Sequence, residues 1–172
     1  MVENELSYLV RKMPRLDGIP RKEIEQHYLS EGPEPLRLRR AGGTFELTKK
    51  LTLDEDDLSR KEEITIPLER EEYFMLLPLA RRSLAKTRYY LPVGDGLTAE
   101  LDVFKGPLEG LAMVEVEFKD DAARARFSPP DWFGRDVSQE AWSSNAALAG
   151  KTYFDIRLLV TGRPDRKKKA KK

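Results

Sequence analysis

A mostly β, α+β domain is expected from this sequence: an eight-stranded antiparallel barrel, closed on itself, with a charged interior and a few peripheral helices. Three observations point there. Between Lys86 and Phe118, three strand-like runs each carry charges two residues apart: Lys86 and Arg88, Glu100 and Asp102, Glu115 and Glu117. Side chains at i and i+2 of a strand share a face, so each run presents a charged pair to one side, with Tyr89, Leu101, Val103, Val114 and Val116 on the other. Second, the chain contains seven or eight such short runs. An even-numbered closed sheet has no edges, and at about eight strands its bore holds side chains or one small ligand. Third, the pairs run basic, acidic, acidic, a pattern more specific than ordinary apolar-in, polar-out alternation.

At 172 residues the chain is expected to form one domain, spanning 1–160 and followed by a basic tail at 161–172. Charged residues make up 35% of it, but 31 Lys and Arg nearly cancel 30 Asp and Glu. That balance argues against a general nucleic-acid coat or a membrane-bound protein. Without cysteine there is no disulfide framework, thiolate chemistry or Cys-ligated zinc. The acidic N-terminus and the lack of a long apolar run predict a soluble, cytoplasmic protein.

Taken in order, residues 2–10 alternate as a strand, with Glu3, Glu5 and Ser7 on one face. Two neighbouring carboxylates repel, so in a confined space they call for a cation. Residues 11–22 read as a loop, and Ile24–Leu29 as a strand carrying the lone histidine, His27, which reads as a surface residue. A turn at 31–35 leads to Leu36–Arg40, with Arg37 and Arg39 on one face. Gly42-Gly43 is a hairpin turn, and Thr44–Lys50 returns with Lys49 or Lys50 beside the arginines. Guanidinium forks and an ammonium on adjacent strands suit phosphate oxygens. After an acidic loop at 51–60, Lys61–Ile66 reads as a strand. Pro67 then opens a helix through Ala80 that packs Leu68, Phe74, Met75 and Leu77 into the core. Beyond the central strands, 119–127 reads as a helix stopped by Pro129-Pro130, with Trp132 and Phe133 as an aromatic plug. Ser138 is the expected N-cap of a helix to Ala149, with Gly150 past its end. Tyr153–Val160 fits strand or helix. The tail cannot bury apolar surface and is expected to be disordered, with at most weak attraction to polyanions such as nucleic acid.

The predicted bore therefore holds Glu3, Glu5, Arg37, Arg39, Lys49, Lys86, Arg88, Glu100, Asp102, Glu115 and Glu117. Such a set is costly to desolvate unless it pairs or binds ions. Carboxylates on one side invite a hard divalent cation, Mg²⁺ or Mn²⁺, and cations opposite invite a polyanion.

Several motifs in their order resemble the CYTH superfamily, the triphosphate tunnel metalloenzymes. They are Glu3-Asn4-Glu5-Leu6-Ser7, Gln26-His27-Tyr28-Leu29, Leu36-Arg37-Leu38-Arg39, Lys86-Thr87-Arg88-Tyr89, Glu100-Leu101-Asp102-Val103-Phe104 and Val114-Glu115-Val116-Glu117-Phe118. Pro130-Asp131-Trp132-Phe133-Gly134 and Asn145-Ala146-Ala147-Leu148-Ala149 are similar to the family's closing region. The resemblance implies an eight-stranded tunnel that binds a triphosphate through one or two metal ions. Carried over by position, Glu3, Glu5, Glu115 and Glu117 would hold metal, with Glu100 and Asp102 adjoining. Arg37, Arg39, Lys49, Lys86 and Arg88 would bind phosphate oxygens. A carboxylate such as Glu5 would orient or deprotonate the attacking water, and Lys86 with Tyr28 would stabilise the leaving phosphate if strand register lets them meet. The implied activity is hydrolysis of inorganic tripolyphosphate or a short polyphosphate, with thiamine triphosphate hydrolysis and ATP cyclisation as alternatives; a homodimer stays open. Ser7 departs from the family pattern, which has lysine there. That departure makes a weakly active or binding-only protein the competing expectation. Whether Glu62 or Glu63 faces inward is also left open.

Overall fold

All strand pairing is antiparallel in the computed structural model, which describes residues 2–32, 34–53 and 59–162. The strands are β1 (Val2–Val10), β2 (Arg21–Tyr28), β3 (Arg37–Ala41), β4 (Thr44–Thr52), β5 (Arg60–Leu68), β6 (Arg82–Pro92), β7 (Thr98–Phe104), β8 (Ala112–Glu117) and β9 (Phe133–Asp136). They form one nine-stranded sheet in the order β5-β4-β3-β2-β6-β7-β8-β1-β9, and β1 also pairs with β5. That last contact sets Val2 opposite Glu62 and Asn4 opposite Arg60. Among the described residues, four short α-helices accompany the sheet: α1 (Arg70–Leu76), α2 (Asp121–Arg126), α3 (Asn145–Leu148) and α4 (Tyr153–Thr161). No helix of the described residues is long and apolar enough to cross a membrane.

The ninth strand is a correction to the expected eight. Phe133–Asp136 is paired with the end of β1, Tyr8 facing Asp136 and Val10 facing Phe133. Gly134 permits this approach, since a Cβ there would lie 2.9 Å from the Leu9 carbonyl oxygen. Phe133 is thus both strand and plug, its ring 5.1 Å from that of Tyr8. The β3–β4 hairpin turns at Gly42, whose φ of 59° lies in the left-handed region.

Other boundaries also moved. β5 runs through Pro67, which stands opposite Glu46, and the helix begins only at Arg70 behind a Glu69–Glu72 capping box. At seven residues, α1 buries one side chain, Tyr73, packed 4.9 Å from the Phe45 ring. Phe74 and Met75, expected in the core, are exposed instead. Ser138 caps no helix; Ser144 caps α3, accepting from the Ala147 amide. Residues 153–161 are helical, held by a Thr152–Asp155 capping box and ended by left-handed Gly162. The predicted tail lies outside the described residues from position 163 on.

Two apolar clusters position the polar interior. One packs Tyr8, Leu101, Val114, Val116 and Phe118 beneath Phe133 and α2. The other joins Leu9, Tyr28, Leu84, Phe104 and Met113 from the strands to Val137, Leu148 and Ile156 from the C-terminal segment. These strand residues continue the charged inner rows, so the apolar cluster floors the polar cavity at one end.

Candidate active site

The inner rows surround a cavity of about 450 Å³. Arg37 and Arg39 of β3, Lys50 of β4 and Lys61 of β5 line one side; Glu5 and Ser7 of β1, Glu100 of β7 and Glu115 and Glu117 of β8 line the other. Ser138, Glu140 and residues 143–147 also line it. Ser138 is tied in place because its Oγ accepts from the Ser7 backbone amide at 2.9 Å.

On the cationic side, strand parity decides membership. Thr48, Lys50 and Thr52 line the cavity, so they share the inward face of β4. Lys49 is exposed and absent from the lining, which corrects its predicted phosphate-binding place in favour of Lys50. Glu63 is the inward acid of its pair, lying 3.3 Å from Lys50 and 3.7 Å from Arg37, while Glu62 is exposed. Arg39 donates from Nε and Nη2 to one Glu46 oxygen at 2.8 and 2.5 Å. Arg37 is buried, yet its Nε and Nη2 have no hydrogen-bond partner. A buried guanidinium with unsatisfied donors on a cavity wall is poised for an anionic oxygen.

Between the two sides stands an ion cluster. Arg88 donates from Nε and Nη2 to the two Asp102 oxygens at 2.7 Å each, and from Nη2 to Glu115 at 2.8 Å. Its Nη1 donates to Glu100. Lys86, 0% exposed, donates to Asp102 at 2.5 Å and to the Asn145 side chain at 3.0 Å. Burial pushes the Asp102 carboxyl up, but Arg88 and Lys86 together outweigh it and hold it below its ordinary value. Burial lowers the Lys86 ammonium despite the Asp102 charge beside it. Burial raises the Glu100 carboxyl against the pull of Arg88.

These contacts correct two expectations. Neither Lys86 nor Asp102 lines the cavity. Lys86 is thus turned to Asp102 and not to the cavity, and the Asp102 oxygens accept from Arg88 and Lys86 away from the lining. Tyr28 and Lys86 do not meet: Tyr28 stands opposite Arg82, and Lys86 opposite Ile24. Tyr28 does line the cavity, donating its hydroxyl to Gln26 Oε1 at 3.1 Å, and burial raises its pKa, with Arg37 partly offsetting.

The acidic side suits a hard cation by donor chemistry. Register places Glu5 opposite Glu117 and Ser7 opposite Glu115, while Glu100 also faces Glu115. Like charges directly opposite on paired strands repel, and a divalent cation with oxygen ligands relieves that repulsion. Among the described residues, however, no three carboxylates or imidazoles converge as a preformed cage. The Glu3 side chain lies outside the described residues; its backbone pairs with Lys61. Beyond the predicted set, Lys50, Lys61 and Asn145 also line the cavity, and Glu63 stands beside Lys50 and Arg37.

No family model matches the chain. It is 38% identical over 154 residues to an inorganic triphosphatase of Nitrosomonas europaea, covering 87% of this chain and 97% of the relative. An inorganic triphosphatase of Acetivibrio thermocellus is 35% identical over 74 residues, 43% of this chain and 46% of that one. A crystal structure of an inorganic triphosphatase matches with a TM-score of 0.63 at 36% identity, covering 86% of this chain and 93% of that chain. The similarity to the Nitrosomonas relative spans nearly its whole length, and the opposed cationic and acidic rows agree with it. The chain belongs to the CYTH superfamily, the triphosphate tunnel metalloenzymes.

Proposed function

We propose that this protein hydrolyses inorganic tripolyphosphate with the help of Mg²⁺ or Mn²⁺, inside a tunnel of eight strands whose seam is the β1–β5 pairing. The carrying observation is the opposition of Arg37, its Nε and Nη2 without hydrogen-bond partners, to the carboxylates Glu5, Glu115 and Glu117 across one cavity. Arg37, Arg39 and Lys50 bind and orient the phosphate oxygens. Glu5, Glu115 and Glu117 hold the metal, with Glu100 adjoining. A bound divalent ion supplies neutralisation of phosphoryl charge and a more acidic water. Glu5 would orient an attacking water or take its proton. Tyr28, opposite Arg37 in register, supports the cationic side.

Inorganic tripolyphosphate is favoured over nucleotides because Tyr28 is the only aromatic residue in the described cavity lining. A base-recognition site draws on stacking surfaces that this lining lacks. Initial rates of phosphate release should therefore rank tripolyphosphate first, above ATP, GTP, thiamine triphosphate and pyrophosphate. A faster rate on ATP, or cyclic AMP among the products, would replace this assignment.

Ser7 bears on the competing, binding-only reading. Its register partner is Glu115, and Arg88 already holds that carboxylate at 2.8 Å. Positive charge that lysine would bring beside Glu115 thus comes from Arg88 of β6. Ser7→Lys is expected to change turnover by less than about three-fold, equivalent to about 0.7 kcal/mol. A gain of about 100-fold with unchanged tripolyphosphate affinity would instead mark the natural protein as catalytically crippled.

A further inference from the structure

Arg88 is the most heavily engaged cation in the cavity wall, and its contacts divide into two kinds. Its Nε and one Nη2 hydrogen form a two-point fork on Asp102, which is 1% exposed and also held by Lys86. Its remaining partners, Glu115 through Nη2 and Glu100 through Nη1, both line the cavity. Those two carboxylates are within the acidic group assigned above to metal. Each gives Arg88 one oxygen, Oε2, so a divalent cation drawn to both carboxylates meets the guanidinium's charge and its hydrogen bonds there.

We propose that Arg88 and a divalent cation compete for Glu100 and Glu115, so that cation binding frees the outer edge of Arg88 for the substrate's phosphate oxygens. This rests on the metal and phosphate sites proposed above. A guanidinium has five N–H donors and stays charged throughout. Asp102 retains two of them and fixes the plane of the group. The other three, two on Nη1 and one on Nη2, become available on the cavity side without a swing of the whole side chain. Arg88 would thereby couple the two ligands: it opposes the cation when no phosphate is present and joins it in holding phosphate when both are. Thermodynamic linkage makes that coupling reciprocal.

The test is a calorimetric titration of the 172-residue chain with Mn²⁺ alone, no phosphate compound being present. Arg88→Met is expected to tighten Mn²⁺ binding by about ten-fold or more, because a charge-assisted contact no longer has to be displaced. Arg88→Lys should tighten it by at least about three-fold, since an ammonium keeps the charge but cannot span three carboxylates. Arg39→Met removes the same charge from the wall but releases only Glu46, and should leave the affinity within about two-fold. Mn²⁺ affinities unchanged in both Arg88 variants would overturn the competition, as would an Arg39→Met gain equal to that of Arg88→Met. If Arg88→Met fails to fold, Arg88→Lys, which still faces Asp102 with a cation, decides alone. Absence of Mn²⁺ binding in every form would remove the metal site and the competition together; tight binding indifferent to Arg88 would remove only the competition.

Discussion

Glu117→Gln is expected to lower phosphate release from tripolyphosphate by at least about 100-fold, with Glu5→Gln close behind. Loss of a group that merely supports a metal ligand commonly costs about 10–100-fold, so loss of a ligand itself should reach or exceed the upper end. The two carboxylates face each other across the β1–β8 pair, so each change removes half of an opposed acidic set. The change from carboxylate to amide preserves shape, and Glu117 is exposed, so the melting temperature should be unaffected. Glu62→Gln is the matched control: Glu62 is exposed and outside the cavity lining, and its rate should stay within about two-fold. Activity that survives both Glu5→Gln and Glu117→Gln would place the metal elsewhere.

Asp102→Ala should be the most destabilising of the single changes considered, by about 3–5 kcal/mol in denaturant unfolding. Asp102 is 1% exposed and Lys86 0%, and the carboxylate serves both Lys86 and Arg88. Its removal leaves a buried ammonium whose one remaining hydrogen-bond partner is Asn145. The double change Lys86→Met with Asp102→Leu should recover most of the loss, since apolar replacement of a buried ion pair is often neutral. The pH dependence has a definite sign. Asp102 is held below its ordinary value in the folded chain, so its contribution is present above the unfolded carboxyl value of about 3.9 and is lost as pH falls below that. Asp102→Ala should therefore flatten the acid limb of the stability curve, while a difference confined to neutral pH would contradict the role.

The charged pairs of β6, β7 and β8 were legible because side-chain alternation in a strand is strict: Lys86 and Arg88, Glu100 and Asp102, Glu115 and Glu117 keep the shared faces that their spacing implies. Depth was not legible. Facing inward does not say whether a side chain meets the cavity or the apolar floor, and that depends on which residues stand opposite. Lys86 pairs with Phe104 and Ile24, far enough along the strands to fall outside the lining. The choice between Lys49 and Lys50 had a usable signal. Phe45, Leu47 and Leu51 share the parity of Lys49, and Phe45 packs outward on Tyr73. The ninth strand had almost none: four residues, one of them glycine, pair with β1 because the Tyr8 and Phe133 rings bring them there. Phe74 and Met75 misled because a seven-residue helix turns too little apolar surface toward the sheet to bury both.

The most direct measurement is phosphate release from tripolyphosphate by the purified 172-residue chain, with Mg²⁺, with Mn²⁺ and with excess chelator. Turnover that requires either cation and vanishes with chelator is the predicted result. Equal turnover in chelator, or none with any cation while tripolyphosphate still raises the melting temperature, would contradict a metal-dependent triphosphatase.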